Sequence, residues 1–150
     1  MTGDLTWDYG RRIVAVTSPK TQGVIGFAGG TTQDLPGVKV EIKTPFVSLI
    51  FTPLDDKPLA ESASILITAM AQDKQSNSKY NADGTVLEAI GGPPLLMEPV
   101  QAAISLKGPA PKSIDVLDIY GVPTGKQVKA EGNSFTIDGT YKTYYYHVKR

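Results

Sequence analysis

Val38-Lys39-Val40-Glu41-Ile42-Lys43 alternates apolar and charged residues without a break. In an extended chain successive side chains point to opposite faces. Val38, Val40 and Ile42 therefore share one face, and Lys39, Glu41 and Lys43 share the other. This hexapeptide reads as a strand with one face on a core and one in water. Working outward, Arg12–Thr17 (RIVAVT) and Val47–Thr52 (VSLIFT) are β-branched or aromatic and are bounded by turn residues, so both read as strands. Ile114–Tyr120 (IDVLDIY) alternates too, but its apolar phase switches after Val116, which requires a bulge or a bend. Phe135-Thr136-Ile137 and Thr143–Val148 flank Asp138-Gly139, a strong turn pair, and are expected to close the fold as a hairpin.

Turns punctuate the rest at short intervals. Ser18-Pro19, Gly29-Gly30, Pro36-Gly37, Thr44-Pro45, Gly91-Gly92-Pro93-Pro94 and Gly108-Pro109 each combine the positive φ that glycine allows or the fixed φ of proline. Short strands at this spacing describe an all-β, antiparallel β-sandwich or a barrel. Leu59–Gln72 fits two readings. Leu59, Ala63, Leu66 and Met70 recur at helical spacing, whereas Ile65-Leu66-Ile67-Thr68 favours a buried strand. Gln72–Gly84 is the longest polar segment and reads as an exposed loop. No linker, repeat or low-complexity tract divides the chain, so residues 1–150 read as one domain.

Composition removes several functions. The chain has 15 Lys+Arg against 15 Asp+Glu, and a nucleic-acid partner would call for a basic excess. There is no Cys, which excludes disulfides, thiolate metal sites and a cysteine nucleophile. No stretch approaches the roughly 20 apolar residues of a membrane helix. Met1–Asp4 shows no basic region followed by an apolar one, so no signal peptide is read there.

Catalytic patterns are weak. The one His, His147, lies in a predicted strand, and no GxSxG accompanies it. Among the acids, Glu88 and Glu98 flank the glycine-proline turn, while most others sit at turns or point outward. The expectation is a chain without catalytic residues. Asp73, Asn77, Asn81 and Asp83 offer the hard oxygen ligands of a structural calcium site, but their spacing is not that of an EF-hand, and a solvated polar loop is the favoured reading. No other cofactor is expected.

The aromatic residues point to binding. Sugar rings stack their C–H faces on aromatic rings, while amides and carboxylates take the hydroxyls. Trp7 and Tyr9 alternate on one side of an N-terminal strand. Tyr144 and Tyr146 share one face of the last strand, and Tyr141, Tyr145 and His147 share the other, so both faces cannot be core. Tyr80 stands beside Asn81 in the polar segment, where an aromatic has no evident core role. The candidate carbohydrate-binding residues are Trp7, Tyr80 and Tyr145 for stacking, with Asn77, Asn81 and Asp83 for hydroxyls. The competing reading is that these aromatics fill the core or seal a sheet edge.

Several stretches in order carry a resemblance. Leu5-Thr6-Trp7-Asp8, Val14–Gly23 (VAVTSPKTQG), Ser64–Ala71 (SILITAMA) followed by Asn77-Ser78-Lys79-Tyr80-Asn81, Pro94–Val100 (PLLMEPV) and Thr143–Val148 (TYYYHV) together resemble the C-terminal β-sandwich accessory domain that follows the catalytic barrel of certain bacterial glycoside hydrolases. The resemblance implies an immunoglobulin-like or jelly-roll sandwich, and reads Leu59–Gln72 as a strand. It implies a non-catalytic carbohydrate-binding module whose partners are a polysaccharide or oligosaccharide and the catalytic domain of a parent enzyme. It further implies a secreted or periplasmic bacterial protein. The alternative function is a purely structural sandwich that packs on the barrel without touching sugar. An apolar patch around Trp7 would mark that alternative; a groove of aromatics and amides would mark sugar binding.

Overall fold

The computed structural model describes residues 4–150. Sixteen strands and no helix make up the described chain. They are β1 (Leu5–Asp8), β2 (Ile13–Thr17), β3 (Gln22–Gly26), β4 (Thr31–Asp34), β5 (Val38–Ile42), β6 (Val47–Pro53), β7 (Ser64–Met70) and β8 (Asp73–Ser76). Then follow β9 (Lys79–Tyr80), β10 (Leu87–Ala89), β11 (Gly92–Met97), β12 (Ala102–Leu106), β13 (Ser113–Leu117), β14 (Pro123–Gln127), β15 (Ser134–Ile137) and β16 (Tyr145–Lys149). The fold is an antiparallel β-sandwich. An eight-stranded sheet runs β1-β2-β3-β6-β7-β16-β13-β14, and a four-stranded sheet runs β15-β12-β5-β4.

Burial follows the alternation of the sequence. Val38, Val40 and Ile42 of β5 are buried and Lys39 and Glu41 are exposed. β12 pairs with β5 so that Ile104 stands opposite Val40, and Ile104 is buried as well. From the larger sheet, Leu49 and Phe51 of β6, Ile65 and Ile67 of β7, and Tyr146 and Val148 of β16 complete the core. Each large apolar side chain so buried contributes about 1.5–3 kcal/mol relative to exposure. Gln22 is the polar exception at the heart of the fold. It is 2% exposed. Its Oε1 accepts the Gly37 N–H at 2.7 Å, and its Nε2 donates to the Ser18 carbonyl at 3.2 Å. One side chain of β3 thereby ties the larger sheet to the β4–β5 turn of the smaller.

Leu59–Gln72 resolves as the strand β7, preceded by a turn around Leu59. Tertiary pairing decides this: β7 lies between β6 and β16, where its backbone groups are taken on both sides. The phase switch in Ile114–Tyr120 is a register irregularity between Asp115 and Leu117 in the β13–β14 pair.

Two expectations are corrected. Phe135–Ile137 and Thr143–Val148 do not form a hairpin. β15 pairs with β12 in the smaller sheet, whereas β16 pairs with β7 and β13 in the larger. The Asp138-Gly139 turn is real, with Gly139 at φ 84° and the Asp138 carboxylate accepting the Thr140 N–H, but it sends the chain across the sandwich. Turn chemistry reports a reversal; it does not report which partner the next strand finds. The polar segment Gln72–Gly84 is not a plain loop either. It contains β8 and β9, which pair with β11 and β10 to form an arm standing off the sandwich. Because the arm is paired mainly with itself, its residues remain exposed, and the Gln72–Gly84 half is polar, which is why that segment resembles a loop.

Candidate functional site

The larger sheet has a second, outer face, and register pairing places its residues in rows. One row runs Trp7, Val14, Ile25, Ser48 and Met70 across β1, β2, β3, β6 and β7. The next runs Leu5, Val16, Gly23, Ile50, Thr68 and Tyr145, reaching β16. Gly23 is required in that row, because a Cβ there would stand 2.6 Å from the Ile50 Cδ1 and 2.6 Å from the Leu49 carbonyl oxygen. Its absence lets Ile50 lie flat across β3. Trp7 is 68% exposed and Leu5 63%. The Trp7 and Tyr9 rings meet edge to face at 6.4 Å. These two rows contain no ionisable side chain apart from the Tyr145 phenol. With strands about 4.8 Å apart and residues rising about 3.3 Å, the part from β1 to β7 covers about 320 Å².

Polarity returns at the β16–β13 side of the same face. Ser64 Oγ and His147 Nε2 lie 2.7 Å apart, and Asp115 stands directly opposite His147. The three residue types are those of a hydrolytic triad, but their bonding is different. The Asp115 carboxylate is taken by Lys149 Nζ at 2.8 Å and by the Gln127 amide at 2.8 Å, not by the imidazole. The Lys149 hydrogen bond, then Gln127, holds Asp115 below the usual carboxylate range against the opposing effect of burial. Burial first, and Lys149 second, lower the His147 pKa, while Asp115 acts in the other direction. With Asp115 bonded to Lys149 and Gln127, the arrangement is a polar cluster on the sheet face.

A cleft of about 780 Å³ lies elsewhere, between the arm and the end of the sandwich. Phe27, Phe46 and Tyr80 line it with Gln72, Lys74 and Glu98. Phe27 and Phe46 meet edge to face at 5.2 Å, and the Arg12 guanidinium sits 4.2 Å from the Phe27 ring centroid. Arg12 reaches this position with a positive φ of 58°. Phe27, Phe46 and Gln72 were not among the sequence candidates. Single aromatic residues next to turns carry no periodicity, and only the folded arm brings Tyr80 over them.

The sequence candidates therefore separate. Tyr80 lines the cleft and is 47% exposed. Asn81 and Asp83 lie just beyond it, but their side chains build the arm's tip. Asn81 Oδ1 accepts the Val86 N–H at 2.9 Å, and its Nδ2 donates to Thr85 Oγ1 at 3.1 Å. Asp83 accepts the Thr85 hydroxyl at 2.6 Å and its N–H at 3.1 Å, which hold its carboxyl below the usual range. Asn77 occupies a left-handed turn at φ 62° between β8 and β9. Trp7 and Tyr145 belong to the outer sheet face. Five strand spacings separate them, about 24 Å, so one sugar ring cannot stack on both. Among the described residues no group of three or more His, Cys, Asp or Glu is placed to hold a metal ion. No family model, curated protein or solved structure matches the chain.

Proposed function

We propose that this sandwich is a non-catalytic accessory module of a carbohydrate-active enzyme, and that it docks on the enzyme's catalytic domain through the outer face of the eight-stranded sheet. The observation that carries this reading is the pair of rows centred on Trp7, Val14, Val16, Ile25 and Ile50. A solvated antiparallel sheet alternates apolar inside with polar outside. Here the outer face carries Leu5, Trp7, Val14, Val16, Ile25, Ile50 and Met70, interrupted by Gly23, Ser48 and Thr68, as in a surface that is covered in use. Its composition is mainly aliphatic, which suits a protein partner better than a sugar ring. Its size is that of one side of an interface between domains of one chain, which total about 600–1,500 Å², and is small for a free complex at about 800 Å² per partner. Tethering supplies the effective concentration that a modest interface needs.

Hydrogen exchange read by peptide mass spectrometry tests this on the native polypeptide that carries the sandwich, compared with the sandwich alone. Docking slows exchange in Leu5–Thr17 by an order of magnitude or more. Equal exchange in the two forms defeats the reading, as does a native polypeptide holding only these 150 residues.

The Tyr80 cleft favours a second reading, carbohydrate binding by the same module. Phe46 and Tyr80 offer ring surface, and Gln72, Lys74 and Glu98 offer hydroxyl partners. Affinity electrophoresis on a glycan panel decides it. Tyr80→Ala lowers retention on the glycan that wild type binds and leaves the melting temperature almost unchanged, because the ring is half exposed. Wild-type mobility unaffected by every glycan removes this reading and leaves docking alone.

A further inference from the structure

Next to the Tyr80 cleft a second cavity, of about 510 Å³, opens at the end of the sandwich between the segments Leu95–Val100 and Gly139–Tyr144. The segments touch at one point: a Cβ on Gly139 would stand 2.2 Å from the Pro99 Cβ. Beyond that contact they part, and the space is lined chiefly by apolar groups of Leu95, Met97, Pro99, Val100 and Ala69. Tyr146 also lines it. This tyrosine is 2% exposed, yet among the described residues its hydroxyl makes no hydrogen bond. The hydroxyl is not sealed in the core, since Arg150 Nε is the sealed side-chain polar atom without a partner. Tyr146 lines this cavity, which assigns its open hydroxyl to it. A hydroxyl open to a cavity bonds whatever fills it, water or the polar group of a ligand that displaces the water.

We propose that this cavity binds a small neutral amphiphile, with an apolar body against Leu95, Met97 and Val100 and a hydrogen-bond acceptor on the Tyr146 hydroxyl. The volume lies in the usual range for small-molecule sites, about 300–1,000 Å³. The head group is uncharged, because one carboxylate, Glu98, and one ammonium, Lys142, line the same space and leave it no excess of either charge. Burial, with the Asp138 carboxylate and the Tyr141 phenol, pushes the Tyr146 phenol up to about 12, so it stays protonated and donates at any physiological pH. This site adjoins the Tyr80 cleft at Leu96, Met97 and Glu98, but Tyr146 lines the cavity and not the cleft, and the proposal stands whichever of the readings above fails.

Titration with para-cresol and with toluene, followed by amide NMR shifts, tests the proposal. The two probes share a ring and methyl and differ by one hydroxyl. Para-cresol at millimolar concentration should shift the amides of Met97, Val100, Gly139 and Thr143 saturably. Tyr146→Phe keeps the ring that packs in the core and should weaken para-cresol about three- to tenfold, the worth of one hydrogen bond, while toluene stays within about twofold. Leu95→Ser, at an exposed position, should weaken both probes without unfolding the chain. Equal losses of both probes in Tyr146→Phe would overturn the assigned role of the hydroxyl. Shifts that fail to saturate, or that map elsewhere, would overturn the site.

Discussion

Trp7 is the only tryptophan in the chain, which makes the proposed docking face its own reporter. At 68% exposure about a third of its side chain is covered. For a ring of up to roughly 250 Å² that is about 80 Å², or about 2 kcal/mol as an upper bound. Residual burial in the unfolded chain lowers this, and threonine at the same place recovers part of it. Trp7→Thr should thus cost the isolated sandwich about 1 kcal/mol, a fall of about 2–4 °C in melting temperature for a domain of this size. Phe51, on the inner face of the same sheet, is 0% exposed. Phe51→Ala should cost about 3–5 kcal/mol, or about 6–20 °C. The uncovered part of Trp7, about 170 Å², is worth at most about 4 kcal/mol when a partner covers it, so the same Trp7→Thr substitution should cut docking by more than tenfold. Calorimetry gives the two melting temperatures. Acrylamide quenching of the isolated sandwich should approach that of free tryptophan and change little on unfolding. A shielded, blue-shifted emission in the folded isolated chain, or a Trp7→Thr cost equal to that of Phe51→Ala, would refute the assignment of this face to docking.

Two further outcomes follow from the interior and the polar cluster. Gln22→Leu keeps the volume but leaves the Gly37 N–H unpaired, and should lose about 1–3 kcal/mol in urea denaturation with an unchanged slope; a more stable variant would show that the buried amide is a liability rather than a tie between the sheets. His147 and Asp115 both have lowered values in the folded state, so both add protons more readily when unfolded, and stability rises with pH through their range. The histidine contribution is complete above its unfolded value of about 6.5 and is lost as pH falls through the lower folded value; that of Asp115 is complete above about 3.9 and is lost below it. His147→Gln should flatten the stability profile just below pH 6.5 and keep the steeper acid limb, as urea midpoints across pH would record. An unaltered profile would remove the imidazole from the linkage.

Much of the fold was legible in local sequence. Val38–Ile42 could only be a half-buried strand, because the alternation matches the two-residue period of an extended chain, and tertiary pairing kept that register. Val47–Thr52 and Arg12–Thr17 were legible for the same reason. Their outer faces were misleading, since Ile50 and Val16 complete an apolar run whose second face serves no core. Sequence shows that a residue is apolar and does not show which surface covers it. Tyr80, Tyr145 and Trp7 were legible as aromatics without evident core roles, and Tyr80 and Trp7 are indeed exposed. That they divide between two surfaces was not legible, because strand order in the sheet has no local signature.

The sequence by itself determined the strands that alternate cleanly, such as Val38–Ile42, many of the turns and the all-β class, since each follows from dihedral preference and side-chain alternation within a few residues. Tertiary structure alone decided that Asp138-Gly139 crosses between sheets, that Gln72–Gly84 forms a paired arm, and that Phe27 and Phe46 meet Tyr80, and it settled as a strand the segment Leu59–Gln72 that periodicity left open. Those outcomes depend on hydrogen-bond partners and cavities assembled from residues tens of positions apart. Their energies arise from pairing and exclusion of water between segments, and no single segment carries them.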